Sequence, residues 1–275
     1  MKSLSIKNLL TSLQNLVANI EDGSQIVIPP DYSFVPMEIT RALIRKKARD
    51  LRLVAAPQTG LQADILIGAG CVSEIEAAAV SLGELGNAPR FTEAIKAKKI
   101  ELKDSTCPAI HAGLQASEKG IPFMPLRGII GSDILKYRND WKISENPFKK
   151  ISNDSILLLP AIHPDYAIFH APYADREGNI WIGRRRELAL MSHAAKKTYV
   201  SVEEVRDTNL LDNEETAANA LPSLYINGIT ICKKGSWPLG LSDLYDADRN
   251  HLQKYASQAR SKSDFSKYLE SYVFV

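Results

Sequence analysis

Tyr166-Ala167-Ile168-Phe169-His170-Ala171 and Thr198-Tyr199-Val200-Ser201-Val202 are two apolar, β-branched and aromatic runs of strand length. Between them lie an Asp- and Gly-rich turn at Asp175–Asn179, Trp181 on a short strand, and a helix expected over Glu187–Ala195. Strand, crossover helix and strand make a unit that pairs its strands in parallel. Both runs are nearly free of charge, as expected of strands covered on both faces.

Working outward, the same alternation recurs. Upstream, Ile156–Leu159 and Phe123–Leu126 read as strands, the latter running into a glycine-rich turn, with a polar, aromatic loop over Tyr137–Phe148. A helix is predicted over Ala109–Lys119, stopped by Gly120 and Pro122. Further back, Arg90–Lys98 reads as helix and Ile100–Leu102 as strand-like. Leu51–Ala56 and Asp64–Ile67 read as strands, the second leading through Gly68-Ala69-Gly70 to a helix or helical loop at Ile75–Ala79. Pro36 opens a helix over Met37–Lys47, since proline suits a first helical turn. Gln25–Ile28 is a short strand ending at Pro29-Pro30-Asp31. Leu4, Ile6, Leu9, Leu10, Leu13, Leu16 and Val17 recur at helical spacing and predict a helix closing near Ile20. From about Leu244 the chain reads as a helical extension. The expectation is one α/β domain over residues 1–275, with a mostly parallel sheet and helices on both faces.

The composition narrows the function classes. With 275 residues, 45% hydrophobic, a sizeable core is expected. A net charge of +2 with scattered signs argues against nucleic-acid binding, which needs clustered Lys and Arg. No apolar run approaches the ~20 residues of a membrane span, and the N-terminus lacks a signal-peptide h-region, so a cytoplasmic location is expected. The three cysteines, Cys71, Cys107 and Cys232, are far apart and odd in number, which argues against a disulfide framework or zinc ribbon. No HxH or HExxH spacing marks a metal site, and no G-x-S-x-G elbow marks a hydrolase nucleophile.

Three glycine-containing segments are candidates for ligand contact. Gly68 and Gly70 follow an expected strand, where backbone can approach a ligand; a plain tight turn is the alternative. Glu84, in Gly83-Glu84-Leu85-Gly86, can act as a base or nucleophile in a glycine-flanked loop, or be an ordinary solvated carboxylate. Arg127, Gly128, Gly131 and Ser132 follow the Phe123–Leu126 strand. Their turn can hold a carboxylate or carbonyl through backbone N–H groups, or be capped structurally by Ser132 or Asp133. His111, His163, His170 and His193 read as hydrogen-bonded structural histidines, and Cys107 as an inert thiol.

An ordered series of segments resembles the A-type subunits of family I coenzyme A transferases, closest to the glutaconate CoA-transferase branch. It includes Asp64-Ile65-Leu66-Ile67-Gly68-Ala69-Gly70, Gly83–Phe91, Gly120–Gly128 with Gly131-Ser132-Asp133, and Glu145-Asn146-Pro147-Phe148. Pro160–Ala171, Ala174–Asn179, and His193–Lys197 leading to Ser201–Val205 complete it over roughly residues 20–250. The resemblance implies an open α/β fold of the NagB/RpiA/CoA-transferase class. It implies a B-type partner, an α2β2 assembly, and a coenzyme A thioester as substrate with no permanently bound cofactor. The nucleophilic glutamate would lie in the partner, so no catalytic residue is assigned to this chain.

Pro29-Pro30 stands where the family has a glycine pair, and proline removes an N–H. Gly235-Ser236-Trp237-Pro238 stands where the family has Gly-Ala-His-Pro. Two other readings stay open. One is a CoA-thioester ring-opening hydrolase of the same fold, whose carboxylate in the A-type chain would align with Cys107. The other is a non-catalytic acyl-CoA-binding homologue.

Overall fold

The computed structural model describes residues 6–150, 152–242 and 244–275. In chain order the strands are β1 (Gln25–Ile28), β2 (Leu51–Ala55), β3 (Gln58–Thr59), β4 (Val72–Ala77), β5 (Ala79–Val80), β6 (Glu101–Asp104) and β7 (Phe123–Leu126). They continue with β8 (Lys142–Glu145), β9 (Ser155–Pro160), β10 (Tyr166–Asp175), β11 (Ile180–Trp181), β12 (Lys197–Arg206), β13 (Ala220–Leu221) and β14 (Gly228–Ile231). The helices are α1 (Leu13–Ala18), α2 (Met37–Arg45), α3 (Leu61–Gly68), α4 (Pro89–Lys96), α5 (Cys107–Glu118), α6 (Arg186–Ala194), α7 (Glu214–Ala217), α8 (Arg249–Gln258) and α9 (Lys262–Tyr272).

The main sheet runs β14-β12-β10-β1-β2-β4-β6 with every neighbouring pair parallel. The chain starts at β1, builds outward through β2, β4 and β6, then returns to add β10, β12 and β14 on the other side. Side chains alternate between two cores, as the pleat requires. Ile26, Ile28, Leu53 and Ile168 face α1, α2, α3, α8 and α9. Val27, Val54, Phe169 and Val200 face α5 and α6. Helices on both faces and a mostly parallel sheet are therefore observed.

Beyond the carboxyl ends of β2 and β4, the short parallel pair β3–β5 continues the layer. On the other side, β7, β9 and β8 form an antiparallel flap over its own small core, which includes Trp141, Leu157 and Leu159. A buried ion pair ties the flap to the sheet: Arg138 donates to Glu76 on β4 at 2.8 Å and to Asp140 at 2.8 Å, and its guanidinium stacks on Trp141.

Four expectations are corrected. Asp64–Ile67 is not a strand but the body of α3; residues 61–67 are all buried, and an apolar run of this length fits a buried helix as well as a strand. Ile75–Ala79 is not helical: Val72–Ala77 forms β4, between β2 and β6. The predicted N-terminal helix is a single turn at Ile6–Asn8 followed by α1, which Ser12 caps by accepting from the Asn15 N–H; Leu4 lies outside the described residues. The Tyr137–Phe148 loop contains β8, an edge strand of the flap whose residues are all exposed, so no alternation marks it.

Candidate active site

In an open parallel sheet, ligands bind beyond the carboxyl ends of the strands. At that edge β1 ends in Pro29-Pro30, which delivers Asp31 to the start of α3. The Asp31 carboxylate accepts from the Gly60 N–H at 3.1 Å and the Leu61 N–H at 2.9 Å. It thereby caps a helix that has no side-chain cap of its own. Gly60 is required for this approach, since a Cβ there would overlap Asp31 Oδ2 and the Ser81 carbonyl. Burial pushes the Asp31 carboxyl up to about 6, against the pull of these two N–H groups.

Beside Asp31 lies a cavity of about 290 Å³. Leu61, Leu85, Leu239 and Leu252 supply apolar wall, and Asp31, Thr59 and Ser81 are polar residues lining it. Thr59 is 4% exposed, and its hydroxyl has no hydrogen-bond partner. Tyr255, on α8, also lines the cavity; its hydroxyl donates to Asp64 at 2.7 Å. Asp64 in turn accepts from the Phe91 N–H at 2.7 Å and so caps α4, where Ala88 offers no side-chain oxygen. Burial raises the Asp64 carboxyl to about 6.

The loop that brings Leu239 to the cavity is held by a buried polar network. Glu203 on β12 accepts from the Lys234 N–H at 2.8 Å, the Gly235 N–H at 3.1 Å, Tyr245 Oη at 2.9 Å and His170 Nε2 at 3.0 Å. Burial works to raise the Glu203 carboxyl, but these bonds, His170 foremost, outweigh it and hold it at about 2. Burial also lowers the His170 pKa, so the ring is neutral at physiological pH. Because Glu203 can only accept, Nε2 carries the proton and Nδ1 accepts from Ser201 Oγ at 2.8 Å. Gly235 lies against this ring, and a Cβ there would overlap it. The loop then docks on the segment after Asp31: Ser236 Oγ donates to the Val35 carbonyl at 2.8 Å, and Arg41 Nη1 to the Trp237 carbonyl at 2.9 Å. Trp237 packs tilted against His251, at 4.2 Å between ring centroids, and donates to Asp248.

The candidates read from the sequence separate into three places. Gly83 and Leu85 line the cavity, and Glu84 sits between them, exposed, in a short 3-10 turn. Arg127, Gly128, Gly131 and Ser132 lie on the flap. There Arg127 makes a bidentate pair with Asp154, which also accepts from Asn146 at 2.7 Å, and the Arg127 bonds hold the Asp154 carboxyl below its usual range. Ser132 accepts from the Ile134 N–H, and Gly131 has φ +91°. Arg127, Gly128 and Phe148 border a second cavity of about 810 Å³.

Gly68 and Gly70 lie at the opposite, amino edge of the sheet. There the Leu51 N–H donates to the Cys71 carbonyl. Gly68 is the last residue of α3, where a Cβ would come within 2.6 Å of Arg90 and Phe265. Gly70, at φ +75°, stops the helix. Asp31, Thr59 and Glu203 were not singled out from the sequence. Only the Pro-Pro-Asp turn hinted at Asp31, the partners of Asp31 and Glu203 lie tens of residues away, and the Thr59 hydroxyl has none.

This geometry, a cavity at the carboxyl edge of an open parallel sheet, is the ligand position of open α/β folds. The family model described as Coenzyme A transferase matches residues 10–231, and the chain belongs to that family. It is 27% identical to the A-type subunit of the 3-oxoadipate CoA-transferase of Pseudomonas knackmussii, over 96% of this chain and 93% of that one. It is 26% identical to the A-type subunit of the glutaconate CoA-transferase of Acidaminococcus fermentans, over 77% and 70%. It is 28% identical to the cholesterol ring-cleaving hydrolase IpdA subunit of Rhodococcus jostii, over 86% and 82%. The fold superposes on the crystal structure of glutaconate coenzyme A-transferase from Acidaminococcus fermentans with a TM-score of 0.87 at 23% identity, covering 96% of this chain and 88% of that one.

Proposed function

We propose that the chain is the A-type subunit of a heteromeric coenzyme A transferase, and that the catalytic glutamate belongs to a B-type partner. The observation that carries this reading is the family match over residues 10–231, together with near full-length similarity to the A-type subunit of a CoA-transferase. The partner carboxylate attacks the acyl-CoA carbonyl and expels CoA thiolate, leaving a mixed anhydride. The thiolate then attacks the glutamyl carbonyl, releasing the first acid and leaving a glutamyl-CoA thioester. A second acid reverses both steps. Binding energy from the rest of CoA supplies what a weak carboxylate nucleophile lacks.

In this reading the Asp31–Thr59 cavity receives the acyl group, and Glu84 at its rim orients substrate or the partner's loop. The flap residues Arg127, Gly128, Gly131 and Ser132 border the thioester's path. Gly68 and Gly70 contribute from a distance, through the packing and termination of α3. The complex is an α2β2 tetramer in the cytoplasm, with coenzyme A thioester as substrate and no resident cofactor. The hydrolase reading draws support from the similarity to a ring-cleaving hydrolase, although Cys107 stands where the carboxylate of its A-type chain is expected.

The test is trapping. The chain is co-purified with a B-type partner, incubated with acyl-CoA and borohydride, and digested for mass spectrometry. Reduction is expected on a glutamate of the partner. A reduced peptide containing Glu84, or robust CoA transfer by the isolated chain, would overturn the assignment.

A further inference from the structure

We infer that the Asp31–Thr59 cavity selects a short, uncharged acyl group carrying a hydroxyl and rejects an acyl group ending in a second carboxylate. This rests on the transferase reading above and names the substrate class for it. At about 290 Å³ the cavity lies at the small end of ligand pockets, which matches an acyl group rather than a whole thioester.

Its charge is one-sided. Among the described residues lining it there is no Lys, Arg or His, whereas Asp31 presents a carboxylate, with Asp64 close enough to raise its pKa further. A distal carboxylate bound here would meet a like charge and no cation, in a space whose wall includes five leucines, where both effects are amplified. Arg127, the cation of the turn expected to hold a carboxylate or carbonyl through its backbone N–H groups, is paired with Asp154 on the flap.

What the cavity lacks is a donor for Asp31 and a partner for Thr59. Asp31 accepts one N–H on each oxygen, and each carboxylate oxygen has capacity for a further bond. The Thr59 hydroxyl is buried and unpartnered. A buried polar group without a partner is costly, and a ligand hydroxyl satisfies both groups, donating to Asp31 and accepting from Thr59. Sites built to bond a hydroxyl discriminate strongly against analogues lacking it, because their own polar groups are then left unpaired.

The experiment compares four-carbon thioesters on the complex with its B-type partner: 3-hydroxybutyryl-CoA, 4-hydroxybutyryl-CoA, butyryl-CoA and succinyl-CoA. In the wild type, kcat/KM for the better hydroxyacyl substrate is expected to exceed that for succinyl-CoA by about 10-fold to 100-fold. Asp31→Asn removes the like charge and should raise the relative use of succinyl-CoA by a similar factor. Thr59→Val keeps the shape and leaves the α3 cap intact; it should reduce the preference for hydroxyacyl over butyryl substrate by about 10-fold. Succinyl-CoA used as well as the hydroxyacyl substrates by the wild type, or ratios unchanged in both variants, overturns the inference.

A complex that turns over none of them and yields no borohydride adduct refutes the transferase reading instead. Saturation-transfer NMR of the chain with 3- and 4-hydroxybutyrate, butyrate and succinate then still decides. A hydroxybutyrate signal that Thr59→Val weakens supports the selection, and succinate bound as well as either hydroxybutyrate refutes it.

Discussion

Replacing Glu203 by glutamine keeps the side-chain shape and removes the charge that two backbone N–H groups, a tyrosine and a histidine converge upon. A carboxyl held at about 2, from an ordinary 4.5, is stabilised in the folded state by about 3 kcal/mol at 1.36 kcal/mol per pH unit. The side chain is 10% exposed, so solvent screening removes little, and about 2–3 kcal/mol is expected at pH 7. The sign follows from linkage. The folded pKa lies below the unfolded one, so the contribution is fully present above about pH 4.5 and is lost as pH falls through about 2. The gap between wild type and Glu203→Gln in urea denaturation should therefore be full at pH 7 and shrink towards pH 2–3. Hydrogen exchange at Lys234, Gly235 and Ser236 should rise in the variant, since Glu203 holds that turn. A loss under about 0.5 kcal/mol at pH 7, or a gap independent of pH, would refute the argument that these bonds fix the loop over the cavity.

Four further outcomes are expected. Gly68→Val places a side chain into Arg90 and Phe265 and should destabilise the fold by about 1–3 kcal/mol or more; Gly131→Val meets open space and should cost only the strain of a positive φ, about 1–2 kcal/mol, in thermal melts. Arg138→Ala leaves Glu76 buried without its cation and should cost about 3–5 kcal/mol, with faster hydrogen exchange across β7, β8 and β9. Asp64, raised to about 6 by burial, favours its protonated form in the folded state, so its contribution is present below about pH 4 and is lost as pH rises through about 6. Measured from pH 4 to pH 7, wild-type stability should fall relative to Asp64→Asn by about 2–3 kcal/mol, and parallel curves would show that burial does not govern this group.

The amino-acid order alone determined the alternation of strands and helices, the placement of β1, β2, β10 and β12, the helical C-terminal segment and the family. These are legible because they rest on local signals: periodicity, proline at a first helical turn, glycine at helix ends, and short ordered motifs. At Leu61–Ile67 and Val72–Ala77 local signals were ambiguous. Residues 61–67 are buried all round, so no polar face reveals the helical period, and their polar members Gln62 and Asp64 are buried as well. Only the packing of α3 between Asp31 at its start and Arg90 and Phe265 at its end decided for helix. The candidate site was less legible still. Asp31 acts on residues 29 and 30 positions away, Glu203 on one 33 positions before it and others up to 42 after it, and Tyr255 on one 191 positions away. A carboxylate's role depends on which N–H groups and apolar walls surround it. Those surroundings come from different strands and helices, brought together only when the parallel sheet lines up its carboxyl ends.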